Sequence, residues 1–333
     1  MRYPLGLVLD SARHIVGGKL RRDRKCPVML SLELFGSSVC AASSGSSLSV
    51  EQCVRALDEC CAPIVAVCGR EPLEHPEIAA IAGEILRRGR HLFLCTDGSL
   101  IRRRLHMIPP DTNFFWNVRL DGTEEVHDRR AQPRGLFREA VDGIQAAKNA
   151  GFFVVVTSTI YPDTDANDLA ALYSSLHEMH VDGYILSPHY PSEKLCRDGS
   201  ARFREKMHQR FREASQRVGS YNLMMSPIYL EYLRGERELD CSAWGSPVRG
   251  PHGWSEPCSK HSSRFAVDYK ELLEKTVWEN YGRGLNPRCE NCQCFDGYET
   301  TALLGVNSKA GDFWKVLSWQ FSGSMGERRN GKS

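Results

Sequence analysis

The chain reads as an α/β protein built on a parallel sheet, and two observations say so. Six short apolar runs rich in Val, Ile and Phe alternate with helical stretches between residues 27 and 187. The runs lack the polar–apolar alternation of a half-solvated strand, as expected of strands buried on both faces. Strands and helices in alternation pack as a parallel sheet, doubly wound or closed into a barrel, complete or partial. Periodicity leaves that choice open.

The elements follow in order. Residues 1–25 hold an apolar stretch from Tyr3 to Val16 and then the basic run Lys19, Arg21, Arg22, Arg24 and Lys25. Such a segment is either a helix packed on the domain or one that touches an anionic membrane surface peripherally. Strands are expected at 27–34, 63–68, 91–96, 113–120, 152–160 and 183–187, and helices at 49–61, 75–88, 136–150 and 166–180. Ser49 with Gln52 forms a capping box, and Asn149-Ala150-Gly151 is a helix stop. In either sheet architecture ligand chemistry belongs at the C-terminal strand ends. The side chains there are 69–71, 95–97, 119–121, 157–159 and 187–189. The alternation stops near residue 220. The division expected is an α/β domain at 26–220, a cysteine-rich module at 221–305 and a tail at 306–333, disordered from residue 320 on.

Composition bounds the function. The 333 residues carry 43 Lys+Arg against 41 Asp+Glu, a net +2. That near balance argues against a nucleic-acid partner. No run reaches the length of a membrane span, and the N-terminus makes a poor signal peptide. A reducing, cytoplasmic setting is expected. There the 13 cysteines divide between packing and metal ligation rather than disulfides.

Five of those cysteines cluster near the C-terminus. Cys241 and Cys258 bracket Gly253 in a C-x11-G-x4-C spacing, followed by Cys289-x-x-Cys292 and Cys294. Two thiolates two residues apart can hold one metal from a single turn, and a second pair closes a four-sulfur shell. Four thiolates suit zinc or an iron–sulfur cluster, and spacing does not decide between them. Free cysteines packed as small apolar groups are the alternative. It is weakened by the polar loop around Cys289 to Cys294.

Several segments then stand together: Cys68-Gly69-Arg70-Glu71-Pro72, Leu94-Cys95-Thr96-Asp97, and W-N-V-R-L-D-G from Trp116 with His127-Asp128. V-D-G-Y-I-L-S-P-H-Y runs from Val181, followed by C-S-A-W-G-S-P, G-W-S-E-P-C, W-E-N-Y-G-R-G and C-E-N-C. In this order, over about residues 1–305, the chain resembles the radical SAM adenosyltransferase family of hopanoid biosynthesis. The resemblance implies a partial (β/α)6 barrel with a C-terminal extension. It also implies a 4Fe–4S cluster on a C-x-x-x-C-x-x-C loop after the first strand. There S-adenosylmethionine (SAM) is cleaved, with a redox partner, and the 5′-deoxyadenosyl radical adds to a hopene lipid. By the same resemblance, Gly69, Arg70, Glu71 and Pro72 stand where the family holds the methionine amino end. Cys95 stands where a hydrogen-atom donor would quench the adduct radical, and the C-terminal cysteines lean toward iron–sulfur.

The chain departs from that pattern around the cofactor. The loop after the first strand holds one cysteine, Cys40, with Ser37 and Ser43 near the other two positions. Serine oxygen is a hard, weakly acidic ligand where cluster iron wants thiolate. Arg70 replaces a glycine, putting a long cation where backbone would approach the ligand, and Asp97 stands where the family has Asn. The function expected is therefore a member of this lineage with impaired or altered SAM cleavage. A non-catalytic paralogue that keeps the C-terminal site and binds lipid or a partner is the alternative. Arg119 and Asp121 are expected to pair or to grip a ligand, and His127 and Asp128 to cap a helix or meet a ribose. His189 is taken as structural, and Cys60 with Cys61 as packing.

Overall fold

The computed structural model describes residues 2–21, 25–36, 46–131, 134–190, 201–258, 264–305, 309 and 311–322. Six parallel strands form its centre: β1 (Met29–Glu33), β2 (Ile64–Cys68), β3 (His91–Thr96), β4 (Phe114–Arg119), β5 (Phe153–Ile160) and β6 (Gly183–Pro188). They pair in sequence order, and the sheet does not close on itself. Each expected strand is present to within a residue or two at its ends.

The crossovers are helical. In chain order the helices are α1 (Leu5–Leu20), α2 (Val50–Glu59), α3 (Ile78–Arg87), α4 (Ile101–Arg104), α5 (Glu124–Ala131), α6 (Leu136–Asn149) and α7 (Ala166–Glu178). Ser49 and Gln52 make the reciprocal capping box on α2. Gly151 takes φ +82 and donates its N–H to the Lys148 carbonyl, which stops α6. One face of the sheet packs Val67, Leu94, Trp116 and Val156 against these helices in a continuous dry core. Burial of such side chains supplies the main driving force for the layer.

Beyond β6 the chain does not separate from the sheet. After α8 (Ala201–Val218), residues 222–224 lie beside β6, where Tyr184 donates its N–H to Asn222 and receives that of Met224. Then come α9 (Pro227–Leu233), β7 (Val248–Gly250), β8 (Gly253–Ser255), β9 (Phe265–Ala266), α10 (Tyr269–Lys275), α11 (Phe295–Leu304) and α12 (Asp312–Ser322). β7 pairs parallel with β1, and β8 and β9 continue antiparallel. The cysteine-rich segment therefore extends the same sheet at its β1 edge.

Both ends of the described chain pack against the domain. On α1, Leu7 is buried and Asp10 meets His91 Nε2 at 3.1 Å. Residues 320–322 belong to the segment expected to be disordered. They end α12, where buried Gln320 exchanges hydrogen bonds with the backbone of Tyr3. Arg22, Arg24 and residues 323–333 lie outside the described residues. Among the described residues no helix is long and apolar enough to cross a membrane.

Candidate functional site

The inner face of the sheet, opposite the helices, carries the candidate site. Its floor is apolar: Val155, Ile185 and Met224 form a second buried cluster with Tyr3, Phe93, Phe153 and Phe295 against it. Above this floor the register places Cys95 beside Asn117 and Arg119 beside Thr157. The Thr157 hydroxyl donates to Asn117 Oδ1 at 2.6 Å, and Asn117 Nδ2 donates to Cys95 Sγ at 3.4 Å. Cys95 thus sits where the sequence placed it, part-buried on the inner face.

Glu71 is the centre of the strand-end geometry. Its carboxylate accepts the N–H groups of Leu73 and Asp97, each at 3.0 Å. The Thr96 hydroxyl lies 2.9 Å from both carboxylate oxygens. Burial raises the Glu71 acid to about 7, against the pull of those N–H donors, and the neighbouring Asp97 raises it further. Among the described residues no Lys, Arg or His stands within ion-pair distance of it. The carboxylate is desolvated and tied at one edge, and no cation among the described residues offsets its charge. A cationic group is the ligand that such a carboxylate favours.

Arg70 does not supply that cation. It turns away from the sheet, pairs with Glu74 one helical turn on at 2.6 Å, and lies over the Phe35 ring. The pair with Glu74, four residues on, keeps its guanidinium in solvent rather than at the strand ends, where it was expected. Gly69 bends the chain at φ +94, and Pro72 starts the short turn that carries Glu71 inward. The Asp97 carboxylate is spent on Ser99, accepting from its N–H and its hydroxyl. Only the Asp97 backbone reaches Glu71.

Arg119 and Asp121 pair with each other at 2.6 Å. The Asp121 side chain is fully buried and also accepts the Thr159 N–H, so it positions Arg119 rather than offering itself to a ligand. Arg119 reaches onward to the Tyr161 hydroxyl at 2.8 Å. His189 stacks on Tyr161 from one side, and the Arg130 guanidinium lies over the same ring at 3.9 Å. Burial lowers the His189 pKa, which favours a neutral ring. Asp128 accepts the N–H groups of Gly135 and Phe137 at the start of α6, and buried His127 accepts the Asp121 N–H. Capping therefore holds for Asp128. Asn117 and Tyr161 escaped the sequence reading; a polar Asn inside an apolar strand was the available signal for the first.

The five C-terminal cysteines do come together. Cys241, Cys258, Cys289, Cys292 and Cys294 all line one cavity of about 50 Å³. Tyr190, just past β6, and Val248 of β7 line it too, so the cavity draws on both sides of the open sheet. Helix α11 approaches Cys241 so closely that a side chain at Gly297 would collide with its sulfur. Burial raises the Cys241 thiol well above its ordinary range, and the Cys258, Cys294 and Cys289 sulfurs raise it further. The hydrogen bond with Cys294, then burial, does the same for Cys292. Among the described residues no three His, Cys, Asp or Glu groups converge as a ready metal-ligand set. The five thiols line the same wall of the cavity. Cys60 is buried as expected, whereas Cys61 is exposed.

The loop after β1 closes at its base, where Gly36 donates its N–H to Ser46 and Leu48 donates to Leu34. Ser37, Cys40 and Ser43 lie between, outside the described residues. One thiol in that segment does not make the donor set of a 4Fe–4S cluster. The residues present do not fit that group.

Comparison with known proteins gives two family matches. Residues 40–176 match the radical SAM superfamily, and residues 184–316 match a domain of unknown function, DUF3463. No match was found among curated proteins. Among solved structures, the chain is similar to Streptococcus suis SuiB bound to S-adenosylmethionine, at 12% identity and TM-score 0.61, covering 87% of this chain and 74% of that one. It is similar to SuiB bound to precursor peptide SuiA, at 13% identity and TM-score 0.59, covering 83% and 70%. It is also similar to anSMEcpe with bound AdoMet, at 13% identity and TM-score 0.56, covering 89% and 97%. At such identities the likeness speaks for the fold, and it agrees with the open parallel sheet. Residues 40–176 are thus similar to the radical SAM superfamily, and the fold is the open, partial α/β barrel of these structures.

Proposed function

We propose that this chain is a divergent member of the hopanoid adenosyltransferase lineage that binds SAM at the strand ends without cleaving it through a barrel cluster. The observation that carries this is the donor set after β1, one cysteine with Ser37 and Ser43 at the flanking positions. The Glu71 carboxylate, with no cation among the described residues to offset it, supports retention of the cofactor. Its role is to accept from an ammonium, while Thr96 and the Asp97 N–H hold it in place. SAM bound there supplies a sulfonium and an adenosyl group. The Arg119–Tyr161–His189 array supplies a cation and a flat ring surface a few strands away.

The apolar inner floor supports a hydrocarbon-like ligand such as a hopene. The five-thiol cavity is read as the seat of an iron–sulfur cluster, with zinc as the alternative. A redox partner belongs to this reading only if cleavage persists. The second reading, a non-catalytic lipid-binding or partner subunit, rests on the same floor and needs no SAM.

The test is anaerobic reconstitution with iron and sulfide, SAM titration by calorimetry, and assay of 5′-deoxyadenosine under dithionite. We expect SAM binding, at least ~10-fold weaker in Glu71→Ala, about four irons per chain and no 5′-deoxyadenosine. Formation of 5′-deoxyadenosine with about eight irons would overturn the proposal. Absence of SAM binding would leave the second reading.

A further inference from the structure

The two terminal helices carry most of the large apolar side chains left in solvent. On α1 these are Leu5, Leu9, Val16 and Leu20, the last 80% exposed; on α12 they are Phe313, Trp314 and Phe321. Three more, Val267, Val277 and Leu285, are scattered elsewhere among the described residues. At roughly 100° per residue, the four α1 side chains fall within about 60° of the helix circumference. They lie opposite buried Leu7 and Gly18, which face the domain. Arg13 stands just beyond one margin of the stripe and Lys19 just beyond the other, both exposed. Arg21 follows at the helix end. The one acid of α1, Asp10, is held by Arg13 at 3.2 Å and by His91.

The helices meet. The Arg2 N–H donates to the Gln320 carbonyl at 3.0 Å, and the Tyr3 and Trp319 rings stand 5.7 Å apart. Leu5 and Phe321 flank that junction. We propose that α1 and α12 together form a platform that docks on an anionic lipid surface, with the apolar stripe at the acyl boundary and Arg13, Lys19 and Arg21 among the headgroups. An apolar face with basic margins is the pattern of helices that lie in the interface plane. A second copy of the chain fits less well, since the basic margins would face each other and the one acid of the helix, Asp10, is already held by Arg13 and His91. The platform is independent of whether SAM is cleaved.

Co-sedimentation of the full chain with phosphatidylcholine vesicles, with and without phosphatidylglycerol, tests this. We expect binding to the anionic vesicles that weakens with salt. Leu9→Glu with Val16→Glu should lower it at least ~10-fold. Arg13→Glu with Lys19→Glu should remove the anionic preference. All four positions are exposed or face solvent, and unchanged thermal melts would confirm the fold. No binding to either vesicle, or binding indifferent to all four substitutions, would overturn the proposal. So would a dimer in solution that Leu9→Glu dissociates while vesicle binding stays absent.

Discussion

Glu71 Oε2 accepts the backbone N–H of Asp97 at 3.0 Å, which ties the chain after β2 to the end of β3. That bond costs the carboxylate its hydration on one side and leaves its charge facing the inner surface. The arrangement makes Glu71 both a clamp between strands and the candidate cation acceptor.

The clamp carries a pH signature. The Glu71 acid lies near 4.5 when unfolded and is raised to about 7 in the folded chain, chiefly by burial. A raised acid keeps its proton longer in the native state. Its contribution to stability is therefore whole below pH 4.5 and is lost as pH rises through 7. The loss is on the order of 3 kcal/mol by pH 8. Urea titrations of wild type and Glu71→Gln between pH 5 and 8 should diverge, with the wild type losing stability faster. Parallel curves would refute the shift.

Glu59 joins α2 to the C-terminal segment. Its carboxylate accepts from the Trp254 indole N–H at 2.8 Å and from the Tyr269 N–H at 3.1 Å. Trp254 is fully buried, so removal of the acceptor strands its donor. Glu59→Ala should cost about 2–3 kcal/mol in chemical denaturation, and Glu59→Gln less.

At the start of the same helix, Ser49 accepts the Gln52 N–H while the Gln52 side chain accepts the Ser49 N–H. Ser49→Ala should lower stability by about 1 kcal/mol and leave ligand binding unchanged, since among the described residues the hydroxyl serves the cap alone.

The thiol cavity is open to a selective metal test. After anaerobic reconstitution, Cys292→Ser should lose most of the bound iron or zinc, because a buried thiol of the shared wall is gone. Cys61→Ser, at an exposed cysteine outside the cavity, should keep the wild-type content. Equal metal content in the two variants would exclude the cavity as the binding site.

Local pattern read well where the signal was local. Val65–Val67, Leu92–Leu94 and Val154–Val156 are apolar without alternation because both faces of a parallel strand are covered, and that shows in the residues themselves. The Ser49 box and the Gly151 stop are likewise settled within a few residues. The sulfur spacing from Cys241 to Cys294 singled out five thiols, and the fold brings these five to one cavity.

Other features depended on which partner a side chain takes, near or far in the chain. Arg70 faces solvent because Glu74 and the Phe35 ring take its guanidinium, and Asp121 is withdrawn because Arg119 and the Thr159 N–H claim it. The pairing of β7 with β1, which joins the cysteine-rich segment to the sheet, spans some two hundred residues and leaves no periodic trace. Helix identity and strand burial follow from short-range sterics and hydropathy, written one residue at a time. Which charge meets which partner, and whether a sheet closes or stays open, follows from packing between segments that only folding brings into contact.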